Sequence, residues 1–165
     1  MVRTETNRAM KLKRTVSADP DFRKLVVDLD KYLAEVDGEE HSYYAQFNGI
    51  AEIPNVVVAY EGDEPVGCGA FKRYDDSTVE IKRMYVAPDR RGKRIGAQIL
   101  KELESWASES GFGAVILETG YKQVAAVRLY KNIGYDVIPN YDQYAGVENS
   151  ICMKKVLSEE NAGSA

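Results

Sequence analysis

Cysteine is nearly absent from this 165-residue chain: Cys68 and Cys152 are the only two, 84 positions apart, with no second Cys or His beside either. Neither a disulfide framework nor a zinc ligand set can be assembled from them, and both read as small buried thiols. Histidine occurs once, at His41, next to Glu39 and Glu40 and without Ser or Cys at a triad spacing, so it reads as a surface residue. No run approaches 18 continuous apolar residues, and residues 1–14 lack the apolar centre of a signal peptide, which predicts a cytoplasmic protein without membrane partners. Internal repeats, low-complexity blocks and a Pro- or Gly-rich linker are missing too.

What is present is the composition of one soluble domain. A chain of this length buries roughly 70% of its unfolded surface and needs no covalent or metal staple. The 26 acidic against 22 basic residues give a net charge of −4, which argues against a nucleic-acid-coating surface. The expected unit is a single domain over residues 1–165, with residues 1–16 and 158–165 as loose tails because neither shows hydrophobic periodicity.

Asp19-Pro20 is an N-cap type followed by a first-turn proline, and Phe22, Leu25, Val26, Leu29, Tyr32, Leu33 and Val36 recur at helical spacing up to Gly38. Three strands follow, at residues 56–60, 66–74 and 79–86, separated by the turns 61–65 and 75–77. Ile95, Ile99, Leu103, Trp106 and Ala107 mark a second helix ending near Gly111. Residues 114–117 then read as a buried strand, 123–133 as a third helix stopped by Gly134, and 135–138 and 150–157 as final strands. A meander followed by alternation predicts a mixed α/β fold, a central sheet covered by helices.

The segment Met84-Tyr85-Val86-Ala87-Pro88-Asp89-Arg90-Arg91-Gly92-Lys93-Arg94-Ile95-Gly96 puts a strand, a basic glycine-bearing loop and a helix start in succession. First-turn amides carry partial positive charge, and Gly92 and Gly96 let the main chain approach an anion, so the junction suits a phosphate group. It matches neither the Walker loop nor the three-glycine dinucleotide fingerprint. A solvated basic turn accounts for the same residues.

Residues 91–96 after a strand ending Tyr85-Val86-Ala87-Pro88 resemble motif A of the GNAT superfamily of acyl-CoA N-acyltransferases, Gln/Arg-x-x-Gly-x-Gly/Ala, with Arg94 at the first glycine position. Residues 123–135, Gln-Val-Ala-Ala-Val-Arg-Leu-Tyr-Lys-Asn-Ile-Gly-Tyr, are similar to the superfamily's Asn-x-x-Ala-x-x-Leu-Tyr-x-x-x-Gly-Phe/Tyr block, with Gln123 for the usual Asn. The two blocks in this order cover residues 56–157 well and the first 55 only in outline.

The resemblance implies a three-layer fold with a central, mostly antiparallel twisted sheet, a splayed parallel strand pair and helices on both faces. It also implies acetyl-CoA as co-substrate, without metal. Arg91, Gly92, Lys93, Arg94, Ile95, Gly96 and Ala97 would wrap the pyrophosphate, Met84, Tyr85 and Val86 would bond the pantetheine arm, and Gln123 would reach the cofactor. Two glutamates compete for general base, with Glu80 the first candidate and Glu118 the second. Glu80 has the spacing from Arg91 found in histone-acetylating members, and Glu118 matches the base position of ribosomal-protein N-terminal acetyltransferases. Tyr130 matches the tyrosine that protonates the departing thiolate. A glutamate on a strand is otherwise a solvated or paired group, here beside Lys82 and Arg83, and a helical Tyr is otherwise core packing.

Tyr43, Tyr44, Tyr141 and Tyr144 fall in loops where acceptors bind in the superfamily, and Lys82 and Arg83 are placed to hold an acceptor carboxylate or to pair with Glu80. The expected activity is direct acetyl transfer to a primary amine, of a small molecule or amino-acid-like acceptor. A peptide N-terminal acetyltransferase and a non-catalytic CoA-binding regulatory module are the alternatives, and nucleic-acid contact by the basic loop ranks below them. Homodimers are common in the superfamily. Residues 82–94 hold six basic side chains against Asp89, a local +5 that leaves −9 on the rest.

Overall fold

The computed structural model describes residues 9–37 and 52–157, and its sheet starts earlier than the sequence pattern indicates. Residues taken as part of a loose tail form an edge strand, β1 (Met10–Thr15). Only Met10 and Leu12 turn towards the core, too few apolar residues to register as a period. The remainder is polar, three cations and Thr15, and is held by partners outside the strand. Lys13 pairs with Asp19 at 2.8 Å, and Arg14 reaches Glu102 at 2.7 Å and Glu109 at 2.8 Å. Lysine and arginine on an exposed edge also oppose pairing with another chain.

Asp19 caps α1 (Pro20–Asp37) by accepting the Asp21 amide at 2.8 Å on its Oδ1, which satisfies one orphan donor of the first turn. Its stripe of Phe22, Leu25, Val26 and Leu29 is buried against Val56, Val58, Cys68 and Ala70 on one face of the sheet. The meander is β2 (Asn55–Glu61), β3 (Glu64–Arg73) and β4 (Thr78–Val86). Next come α2 (Ile95–Glu109), β5 (Ala114–Gly120), α3 (Val124–Ile133), β6 (Asp136–Ile138) and β7 (Ser150–Val156). Sheet order is β1-β2-β3-β4-β5-β7-β6; only β4 and β5 run parallel among the described strands.

Alternation along β2 sends Val57 and Ala59 to the face opposite α1, where Ile95, Ile99, Leu100 and Leu103 of α2 and Tyr130 of α3 complete the main core. Two glycines let α2 lie this close. A Cβ on Gly69 would stand 2.5 Å from Met84 Sδ and 2.9 Å from Leu103 Cδ1, and one on Gly67 would meet Ile99 Cδ1 at 3.0 Å. The architecture is the mixed, two-sided α/β sandwich expected from the resemblance. His41, Tyr43 and Tyr44 lie outside the described residues.

Candidate active site

The site originates in a defect of the sheet. Strands β4 and β5 are paired only at Thr78 with Ala114, Val79 with Val115 and Glu80 with Ile116. Further along β4, Lys82 faces Ala70 and Tyr85 faces Cys68, so Arg83 and Met84 together oppose Gly69. This is a β-bulge, which bends its strand and increases the local twist. Arg83 takes φ 61° there, at a cost of about 1–2 kcal/mol for a residue with a Cβ. Its carbonyl accepts the Cys68 thiol at 3.4 Å, and its guanidinium donates to Asp30 of α1 at 2.9 Å. After Glu80 no further pair joins β4 to β5, which leaves β4 backbone without a ladder partner on that side through the bulge.

A cavity of about 340 Å³ opens along this gap. Met84, Tyr85 and Val86 supply one wall, Arg91, Gly92 and Arg94 the loop, and Ile95, Gly96 and Ala97 the first turn of α2, with Gln123 opposite. Ten of the eleven residues expected to bind a cofactor are thereby brought together. The exception is Lys93, whose ammonium is solvent-exposed and 3.7 Å from Glu61.

No side chain caps α2: Arg94 occupies the N-cap at φ 65° and makes no capping bond, so the first-turn amides face the cavity unclaimed by a cap. A Cβ on Gly96 would come within 3.2 Å of Leu129, which keeps this position small. Arg91 is pre-aimed, its guanidinium 4.8 Å from the Tyr32 ring centroid and its Nε donating to the Val86 carbonyl at 3.0 Å. Sequence reasoning missed Leu29 and Tyr32 of α1 and Ala125, Ala126 and Leu129 of α3 as lining residues. Their helical spacing marks an apolar face without indicating which part of it overhangs a gap in the sheet.

A smaller cavity, about 80 Å³, shares Tyr130 with the first. Tyr130, Leu29, Met84 and Gln123 line both, and Lys82, Arg83, Glu118, Thr119 and Tyr144 line the second alone. Burial, with the Glu118 charge as a lesser cause, pushes the Tyr130 phenol above its ordinary pKa. The group therefore remains a proton donor at any physiological pH. Its ring leans edge-on against Tyr135 at 5.9 Å, and Tyr135 is fixed by donating to Glu104 at 2.8 Å.

Glu80 lines neither cavity. It lies in the paired section of β4, buried, with Tyr141 donating to its Oε2 at 2.9 Å, Lys82 3.5 Å from the same oxygen and Lys72 4.0 Å from Oε1. Of the two glutamates marked by the sequence, only Glu118 shares a cavity with Tyr130. Of the acceptor-loop tyrosines, Tyr144 lines that cavity and Tyr141 serves Glu80. Burial pushes the Cys68 thiol up to about 12 and that of Cys152 up to about 11, so both stay protonated and poorly nucleophilic.

The sequence profile described as the Acetyltransferase (GNAT) family matches residues 20–135. An IAA acetyltransferase of Azospirillum brasilense is 31% identical over 137 residues, covering 81% of this chain and 89% of that protein. Among solved structures, one from Klebsiella pneumoniae, named as an acyl-CoA N-acyltransferase, superposes with TM-score 0.77 at 27% identity, covering 92% of this chain and 100% of the other. Another, from Salmonella typhimurium and named as an acetyltransferase with its cofactor acetyl-CoA, superposes with TM-score 0.64 at 21% identity, covering 91% and 95%. With the family profile spanning both sequence blocks and the splayed-strand site in place, the chain belongs to the GNAT family of acetyltransferases.

Proposed function

We propose that this protein binds acetyl-CoA in the larger cavity and acetylates a primary amine presented from the smaller one, with Glu118 as general base and Tyr130 as general acid. The observation that carries the reading is Tyr130 itself, a buried phenol common to two cavities, with Glu118 on the far one. The larger cavity fits a CoA-type molecule on its own chemistry. Uncapped amides of α2, the guanidinium of Arg91 and that of Arg94 suit a pyrophosphate, and the unladdered backbone of Met84 and Val86 suits the amides of a pantetheine arm.

Acetyl-CoA supplies a thioester acetyl group, activated towards amines. The protein's own part is to hold and move protons. Glu118 takes the proton of the incoming ammonium, directly or through one water, and makes the amine nucleophilic. Tyr130 donates its phenolic proton to the departing thiolate, and its burial excludes water from the junction of the cavities. Neither cysteine takes part, because neither lines the site or ionises readily.

The test is release of free thiol from acetyl-CoA with a panel of amines. Turnover is expected with at least one class, reduced about 10²-fold or more in Tyr130→Phe and in Glu118→Gln. Measurable CoA binding without thiol release from any amine would replace the enzyme by a CoA-binding regulatory module.

A further inference from the structure

The smaller cavity carries charge of both signs, with Glu118 on β5 and Lys82 and Arg83 on β4. Arg83 is committed, its guanidinium almost fully buried against Asp30. Lys82 is different. Its side chain is only 12% exposed, and its ammonium approaches two partners, Tyr144 Oη at 3.4 Å and Glu80 Oε2 at 3.5 Å. An ammonium has three N–H donors, so one is left over among the described residues. Nor is Lys82 the sole partner of Glu80. Tyr141 already donates to it at 2.9 Å and Lys72 stands 4.0 Å from its other oxygen. Glu80, Lys72 and Lys82 form one cluster, and Lys82 is its member that lines the cavity, on the strand adjoining that of Glu118. A nearly buried ammonium with an unused donor is better satisfied when a further oxygen acceptor joins it.

Resting on the acetyl-transfer reading, we infer that the acceptor is a small amino acid, an amine bearing a carboxylate. Its amine faces Glu118 and its carboxylate is bound by Lys82, with Tyr144 and Glu80 as positioning residues that aim the lysine. The two charges of the zwitterion meet opposite charges on the two diverging strands. Such an arrangement selects against simple amines, which would leave the third Lys82 donor unused, and against peptide N-termini, whose carboxylate is replaced by an amide.

Matched acceptor pairs read this directly: alanine with alaninamide and β-alanine with its amide, compared as kcat/KM on the concentration of free amine. The acid form should be preferred about 10- to 100-fold, the range for a hydrogen bond to a charged group. That preference should collapse towards unity in Lys82→Met and persist in Lys82→Arg. In the unaltered enzyme, propionate should inhibit competitively against the amine and propionamide should not, a reading independent of how any variant folds. Equal use of acid and amide, a preference that survives Lys82→Met, or no inhibition by propionate each overturns the inference while leaving acetyl transfer intact. Thiol release with none of the four acceptors and with no other amine removes acetyl transfer itself.

Discussion

Two glutamates illustrate how little a side chain's identity says about its role. Glu80 and Glu118 lie on adjacent strands, yet one is enclosed by Tyr141, Lys82 and Lys72 and the other lines the cavity beside Tyr130. Glu118→Gln should therefore lower kcat by about 10² to 10⁴-fold. Glu80→Gln should act mainly on acceptor KM, through Lys82. The opposite pattern in steady-state kinetics would restore Glu80 as base. Tyr130 permits a prediction with a definite sign. Since burial and the Glu118 charge raise its pKa, the acid form persists as pH rises, and kcat should stay level to about pH 10, where an exposed tyrosine is half ionised. A decline centred below that value, lost in Tyr130→Phe, would show the phenol titrating early.

At the scale of elements, the decisive structure is the packing of α2 on β3. Gly69 has no room for a Cβ between Met84, Leu103 and Ile99. Gly69→Ala should cost about 1–3 kcal/mol in denaturant unfolding, the usual range for overpacking, and disturb acetyl-CoA binding as well because Met84 lines both cavities. At the head of the same helix Arg94 holds φ 65°, in the left-handed region that favours glycine, at the first glycine position of the family pattern. Arg94→Gly should recover about 1 kcal/mol of stability by removing the left-handed penalty. It should also weaken acetyl-CoA, since a charge lining the cavity is lost, so unfolding and binding titrations should move in opposite senses. Elements with a strong local period, α1 and the three meander strands, were legible in the sequence to within a few residues. Strand β1 was not, because it is specified by partners such as Glu61, Asp19 and Glu102 that its own six residues do not contain.

Over the whole molecule, the acidic average conceals a basic segment, and the fold then divides that segment again. Of the six basic residues between 82 and 94, Arg83 pairs with Asp30, Arg90 with Glu61, Glu64 and Asp89, Lys93 with Glu61, and Lys82 with Glu80. Arg91 and Arg94 line the larger cavity with no carboxylate partner among the described residues. Cofactor affinity should thus respond to two charges rather than six. Arg91→Ala should weaken acetyl-CoA binding about 10- to 100-fold, and Lys93→Ala should leave it within about twofold because an exposed pair contributes little. Calorimetric titration of both variants separates the cases; equal losses would mean that the loop acts as an undivided basic patch.

The sequence by itself determined the order of most elements, the phosphate-type loop before α2 and the tyrosine of α3, because periodicity, glycine placement and local spacing are written along the chain. Only the tertiary structure decided which glutamate faces the cavity, which cations remain available and that β1 closes the sheet. Those choices depend on where β4 and β5 part and on the bulge at Arg83, which is defined by its register against Cys68 and Ala70 on β3. Register is a relation between strands, and no single stretch of sequence contains it.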